Sequence, residues 1–231
     1  MPSLKEKFKF LERGFKDVLV LLPGWAADYR IFSNLKLNYN YLLPLEFSPF
    51  NFVRDLSEVT NELFPKQKIS LFGYSLGSFL AVDFAKGYPE RVNELMLLSV
   101  RKEYQPQALK EIGEQLEKNK RAWLYRFYLN CFSKGDLEGR NWFKKNLLKD
   151  YLDEMALENL MIGLDYLSSA KIKPEYLSRI KKLKFFHGSS DTIAPLKEVE
   201  EIKSGLPQAE FICLSGLGHL LFLNRQFKDE F

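Results

Sequence analysis

Histidine occurs only twice in the 231 residues, and cysteine only twice. Cys131 and Cys213 fall in neither a C-x-x-C nor a Cys/His spacing. The chain is therefore not a disulfide-built scaffold, and nothing in it points to a thiolate or imidazole metal centre. Two free, buried thiols in a reducing compartment are expected. No stretch approaches the ~20 apolar residues of a membrane span. The opening residues interleave charges with apolar side chains and lack the apolar core of a signal peptide. A cytoplasmic protein without a membrane partner is expected. Charge of one sign is scarce too. The 34 Lys and Arg against 30 Asp and Glu leave only +4, far from the footprint of a nucleic-acid binder. No internal repeat, low-complexity tract or flexible linker interrupts the chain, and a monomer is expected.

What is present is a well-stocked core. Hydrophobic residues make up 46% of the chain and include 20 Phe, enough for one domain of this length. Residues 17–22 and 93–100 are near-continuous apolar runs, as in strands buried on both faces of a parallel sheet. Helical spacing separates them at 53–63 and 78–86, and short strands are expected at 8–11 and 39–46. This alternation argues an α/β parallel sheet. From about 103 to 178 the rhythm changes. Helices are expected over 108–118, 120–131, 137–148 and 151–162, with no convincing strand. Strands return at 184–187 and 210–214, with a helix over 196–204 between them and a last helix opening at Gly218 and His219. The expectation is one domain with a core of 1–102 and 179–231 and a helical insertion over 103–178.

The most informative residues are Gly73, Tyr74, Ser75, Leu76 and Gly77. They match G-x-S-x-G, and the pattern sits between an apolar β-prone run at 68–72 and a helical pattern at 78–86. A Gly-flanked Ser between strand and helix is the setting of a nucleophile elbow, where a sharp turn exposes the hydroxyl at the head of a helix. The competing reading is a simple buried turn.

A serine hydroxyl is a weak nucleophile until a base lies within hydrogen-bond reach and a carboxylate orients that base. With two histidines the search is short. His219 follows the strand at 210–214 on a loop and is the better base. His187 ends a strand and is expected to pack locally. Asp191, just beyond that strand, is the first choice for the carboxylate. Asp165 and Asp153 are weaker rivals because they fall on helices of the insertion. Ser75, Asp191 and His219 all lie beyond the C-terminal ends of strands, where open α/β sheets place their sites. Two backbone N–H groups should hold an oxyanion. One belongs to Leu76 at the helix N-terminus, the other to Trp25, where Gly24 allows close approach. No metal or organic cofactor is required.

Taken with the Leu21, Leu22, Pro23, Gly24 and Trp25 segment, the elbow resembles the α/β-hydrolase superfamily over the whole chain. Arg126 with Phe127, and Gly163 through Leu167, narrow the resemblance to the pimeloyl-[acyl-carrier protein] methyl ester esterases of biotin synthesis. The resemblance implies the α/β-hydrolase fold with a helical lid. It also implies a serine esterase cleaving the methyl ester of a pimeloyl chain on acyl carrier protein. Trp25 and Leu76 then match oxyanion positions, and Phe127 matches an acyl-contacting position in the lid. Arg126 matches a carrier-contacting arginine; Arg140, Lys144 and Lys145 fall near others. A basic stretch in the insertion would suit an acidic carrier, or it is a solvated helix face. Two departures stand out. Many relatives have His-Gly where this chain has Pro23 and Gly24, and residues 45–49 lack the Gly-rich turn common in the superfamily. Other readings on the same fold are a small-molecule carboxylesterase or thioesterase, a C–C hydrolase, a menaquinone-pathway lyase, and a non-enzymatic ligand receptor.

Overall fold

The computed structural model describes residues 4–46 and 48–230. The first part alternates as the apolar pattern requires: α1 (Leu4–Lys7), β1 (Phe8–Leu11), β2 (Val18–Leu22), β3 (Asn40–Pro44), α2 (Phe52–Leu63), β4 (Ile69–Tyr74), α3 (Leu76–Gly87) and β5 (Val92–Leu98). β2, β3 and β4 are buried along their whole length. Strands covered on both faces by helices need apolar side chains in both directions, which explains their unbroken hydrophobic runs. After the helical insertion come β6 (Leu183–Gly188), α9 (Leu196–Ser204) and β7 (Glu210–Leu214). The chain then passes through a 3-10 turn, Leu221–Leu223, to α10 (Arg225–Lys228). The last helix expected from Gly218 onward is thus a loop, a 3-10 turn and a short helix. Its apolar side chains are buried even though its backbone does not form a continuous helix.

The seven strands form one sheet in the order β1-β3-β2-β4-β5-β6-β7. β1 pairs antiparallel with β3, and every other pair is parallel. From β2 the chain crosses to β3 on one side, and from β4 to β5 on the other. The connections leaving the C-terminal ends of β2 and β4 therefore diverge, and a crevice opens between them. That topology, rather than any local sequence signal, brings Trp25 next to Ser75.

The insertion consists of α4 (Pro106–Asn130), α5 (Leu137–Asn146), α6 (Leu148–Glu154), α7 (Leu157–Ser169) and α8 (Pro174–Leu177). The helices expected at 108–118 and 120–131 are the two halves of α4, separated at Asn119 as expected. Asn119 has non-helical angles (φ −160°, ψ 82°), and its side-chain oxygen accepts from the Ala122 N–H at 3.0 Å. An asparagine cap inside the helix thus restarts its second half. Conversely, the helix expected over 151–162 is broken. Met155 and Ala156 are extended, and Lys120 Nζ donates to the Met155 carbonyl. An isolated bridge, Glu103 with Lys171, closes the neck of the insertion.

Beneath the sheet, the Phe72 ring meets those of Phe32, Phe222 and Phe227 at 5.8–6.0 Å, edge to face. This cluster joins the centre of β4 to the segment following the last strand. Of the two thiols, Cys131 is buried, but Cys213 is exposed. It lies on β7, the sheet's last strand, where only Leu214 is buried. Among the described residues no helix is long and apolar enough to cross a membrane. Phe72→Ala should lower stability by about 3–5 kcal/mol, the range for emptying a buried aromatic site, as read from urea unfolding.

Candidate active site

The elbow is built as its glycines require. A Cβ on Gly73 would stand 2.6 Å from the Gly77 carbonyl and 2.7 Å from Ser78 Cα, and one on Gly77 would overlap the Leu22 carbonyl of β2. Neither position tolerates a side chain, because strand and helix backbones pack directly on each other there. Between them Ser75 sits at φ 53°, ψ −115°, strained for an L-residue. The strain is held by the Ser75 N–H donating to Leu98 O at 2.9 Å and by Ser78 Oγ donating to Gly73 O at 2.7 Å. Among the described residues, two other non-glycine residues have positive φ: Ala26 (56°), after Trp25, and Ser99 (50°), after β5. Ala26 and Ser75 flank the crevice between β2 and β4, and Ser99 bonds to the His219 carbonyl. Strained backbone gathered at one place is characteristic of functional sites.

The structure brings Ser75, His219 and Asp191 together. His219 Nδ1 lies 2.8 Å from Asp191 Oδ2, and Nε2 lies 3.0 Å from Ser75 Oγ. A carboxylate only accepts, so Nδ1 carries the proton. Nε2 is then the acceptor for the serine hydroxyl, which is the polarity a base needs. Burial works to raise the Asp191 pKa. The charge and hydrogen bond of His219, the Ala194 N–H and His187 outweigh it and hold the carboxyl below its ordinary 3.8. The rival carboxylates stay away. Asp153 pairs with Arg121 on the insertion, and Asp165 is exposed.

His187 does pack locally. Its Nε2–H donates to Ala194 O at 2.9 Å, and Asp191 lies 3.8 Å away. Its Nδ1 is buried with no partner among the described residues. Burial drives its pKa below 6.5, against the opposing pull of Asp191.

Across the crevice, a Cβ on Gly24 would stand 3.2 Å from Ser75 Cβ. The loop after β2 therefore lies directly against Ser75. Leu76 opens α3, where its N–H has no acceptor within the helix. The Trp25 indole donates to Leu160 O at 2.9 Å and meets the Phe127 ring at 5.1 Å, edge to face. Phe127 stacks on Trp123. A cavity of about 600 Å³ opens beside this loop. Trp25, Leu76, Gly163 and Leu160 form its apolar wall, and the Lys7–Asp55 ion pair and Arg30 part of its polar wall. Of residues 45–49, all but Phe47 line it; Phe47 lies outside the described residues. Ser75 and His219 are nearly sealed, at 7% and 1% exposed, so this cavity reaches the loop after β2 and not the Ser75 hydroxyl itself. Among the described residues no group of three His, Cys, Asp or Glu side chains could hold a metal ion.

Three supports were not legible beforehand. Ser99 Oγ donates to His219 O at 2.6 Å, Tyr128 OH donates to Ala26 O at 2.7 Å, and Tyr166 OH donates to Asp83 at 2.6 Å. Each joins segments far apart in the chain, and no local pattern marks them. The four residues that the resemblance offers for carrier contact divide in two. Arg126 borders an open groove at the Asn119 kink with Arg121 and Tyr125, while Arg140, Lys144 and Lys145 lie on α5.

No protein-family model matches the chain. It is 25% identical to a pimeloyl-[acyl-carrier protein] methyl ester esterase of Nitrosomonas europaea, over 92% of each chain. It is 26% identical to a 2-hydroxy-6-oxononadienedioate/2-hydroxy-6-oxononatrienedioate hydrolase of Paraburkholderia phymatum, over 91% of this chain and 72% of that one. A thermophilic esterase from Thermogutta terrifontis superposes with a TM-score of 0.81 at 17% identity, covering 96% of this chain and 89% of that one. The chain has the α/β-hydrolase fold and resembles the pimeloyl-[acyl-carrier protein] methyl ester esterases.

The lowered pKa values of His187 and Asp191 set a pH dependence. In both cases the unfolded chain binds protons more readily than the folded one, so stability rises with pH. The His187 contribution is full above about 6.5 and is lost as pH falls below it; that of Asp191 is full above about 3.8 and is lost below. Urea unfolding should therefore show stability declining from about pH 7 to pH 5, and His187→Gln should flatten that part of the curve.

Proposed function

We propose that the chain is a serine carboxylester hydrolase with Ser75 as nucleophile, His219 as base and Asp191 as its orienting carboxylate. The observation that carries this is His219 bridging Ser75 and Asp191 with the tautomer that accepts the serine proton. Ser75 Oγ attacks the ester carbonyl carbon as its proton passes to His219 Nε2. The oxyanion is met by the N–H groups of Leu76 and Trp25, backbone dipoles fixed before the charge forms. Collapse of the tetrahedral intermediate breaks the bond to the alcohol oxygen, which takes the proton from His219 and leaves. Water then gives a proton to His219 and attacks the acyl-enzyme carbonyl, and the second collapse returns the proton to Ser75. Asp191 stays ionised throughout.

For the substrate we favour the methyl ester of a pimeloyl chain on acyl carrier protein, the reading that the relatives support. Trp25 gives the cavity an apolar wall for the acyl chain, and Phe127 packs behind it, edge to face. The charges of the insertion support an acidic carrier only in part. Residues 118–149 hold nine Lys and Arg against two Asp and Glu, and one of those acids, Asp136, is buried. Among the described residues Arg126, Arg140, Lys144 and Lys145 make no ion pair. A positive stretch of this kind steers an acidic partner and speeds encounter. A C–C hydrolase reading draws on the Paraburkholderia relative; turnover of simple p-nitrophenyl esters well above background would argue against it.

Ser75→Ala should reduce p-nitrophenyl ester hydrolysis about a thousandfold or more, about 4 kcal/mol of transition-state stabilisation, with the melting temperature little changed. Persistence of activity within about tenfold would remove Ser75 from the nucleophile role. Replacing Arg126, Arg140 and Lys144 together by Glu should lower kcat/KM for carrier-bound ester about tenfold and leave small soluble esters unaffected. Equal losses on both substrates would count against carrier docking on the insertion.

A further inference from the structure

The turn between α4 and α5, residues 131–136, holds the loop that carries His219. The Cys131 carbonyl accepts from the N–H groups of His219 at 2.9 Å and Leu220 at 3.2 Å. Ser133 Oγ donates to the Gly216 carbonyl. Asp136 accepts from Gly218 N at 2.8 Å, from Ser133 N at 2.6 Å and from Asn224 Nδ2 at 2.8 Å. Asn224 Oδ1 in turn accepts from Gly139 N at 3.2 Å.

The two segments approach closely because glycines face each other across the seam. A Cβ on Gly135 would stand 2.6 Å from Gly216 O, and one on Gly218 would stand 2.9 Å from Asp136 Oδ2 and from Cys131 O. Asp136 is fully buried, and all its donors are neutral. A buried carboxylate without a cation is costly unless several donors converge on it. Here they converge from the insertion itself, from the residue before His219 and from the segment after it. On the far side Ser99 Oγ holds the His219 carbonyl. The His219 peptide is thereby clamped between the end of β5 and the insertion.

We propose that the 131–136 turn is part of the mount of the catalytic base, with Asp136 a positioning residue that acts through Gly218 and Asn224. This rests on reading Ser75 and His219 as nucleophile and base. The imidazole must stay within hydrogen-bond reach of Ser75 Oγ through each proton transfer, and a misplacement of ~1 Å costs about a hundredfold. The insertion is therefore not a lid free to swing over a finished site. Motion of the turn carries the base with it, and α4 and α5, which bear the basic residues, are joined directly to that turn.

The test uses the full chain and a fluorophosphonate, which labels a serine only when its base is in place, with labelling followed by mass spectrometry. Asp136→Asn keeps the volume but cannot accept both the Gly218 and Asn224 bonds. It should slow labelling of Ser75 about tenfold, lower kcat for a p-nitrophenyl ester with KM unchanged, and broaden the downfield proton signal of the His219–Asp191 hydrogen bond. Labelling within twofold of the unmodified protein, with that signal retained, overturns the proposal. Should Asp136→Asn not fold, Ser133→Ala decides, since it leaves Asp136 in place and removes the hydroxyl's bond to the Gly216 carbonyl together with the one it accepts from the Gly135 N–H. Labelling slowed about threefold supports the mount, and unchanged labelling overturns it. If the unmodified protein labels at Ser75 but turns over no ester, the esterase reading fails while the labelling comparison still judges the mount.

Discussion

Ser75 is held where an L-residue avoids standing, at positive φ between a buried strand and a helix whose backbones touch. Much of the site follows from that constraint. The turn can be this sharp only because Gly73 and Gly77 carry no side chain, and it stays sharp because its backbone and Ser78 are bonded across to β5. Placing the hydroxyl at the head of α3 also leaves the Leu76 N–H without a helical partner, so a backbone donor comes with the elbow. The strain, of order 1–3 kcal/mol, is balanced by the buried core around β4, where Phe72 interlocks with rings from two other segments.

The crevice has a topological cause. β2 and β4 are neighbours whose connections leave in opposite directions, so the loop carrying Trp25 and the elbow carrying Ser75 face each other across a gap. Each wall is then braced by the insertion. Tyr128 holds Ala26, Leu160 accepts from the Trp25 indole, Tyr166 reaches Asp83 on the elbow helix, and the 131–136 turn grips the His219 loop. The insertion is thus part of the site's framework as well as its cover. This agrees with the near-complete burial of Ser75 and His219.

The electrostatics inside the site follow from the same enclosure. Asp191 is buried, a setting that disfavours charge, yet it is kept ionised by His219, His187 and the loop N–H of Ala194. His187 sits beside the same carboxylate, but burial keeps it neutral, and its N–H donates to Ala194, out of the proton path. Two histidines within reach of one aspartate take different parts because only His219 also reaches Ser75.

Sequence alone determined the pieces whose cause is local. The unbroken apolar runs of β2, β4 and β5 announce buried parallel strands. The glycine spacing around Ser75 announces an elbow, because two residues without Cβ are the only way to fold the chain back there. The scarcity of histidine left two candidates for the base. Local pattern also located the break at Asn119, between two expected helices, but missed the one at Met155, inside the helix expected over 151–162. It was blind where the cause lies across the fold. Cys213 is exposed because β7 is the sheet's last strand, which no run of residues can reveal. Asp136, in an unremarkable Lys-Gly-Asp turn, becomes a buried anchor only because the insertion folds back on the His219 loop 82 residues later. Ser99 reaches the His219 carbonyl across 120 residues. Contacts of that separation depend on which strand neighbours which, and strand order is decided by the packing of the whole sheet.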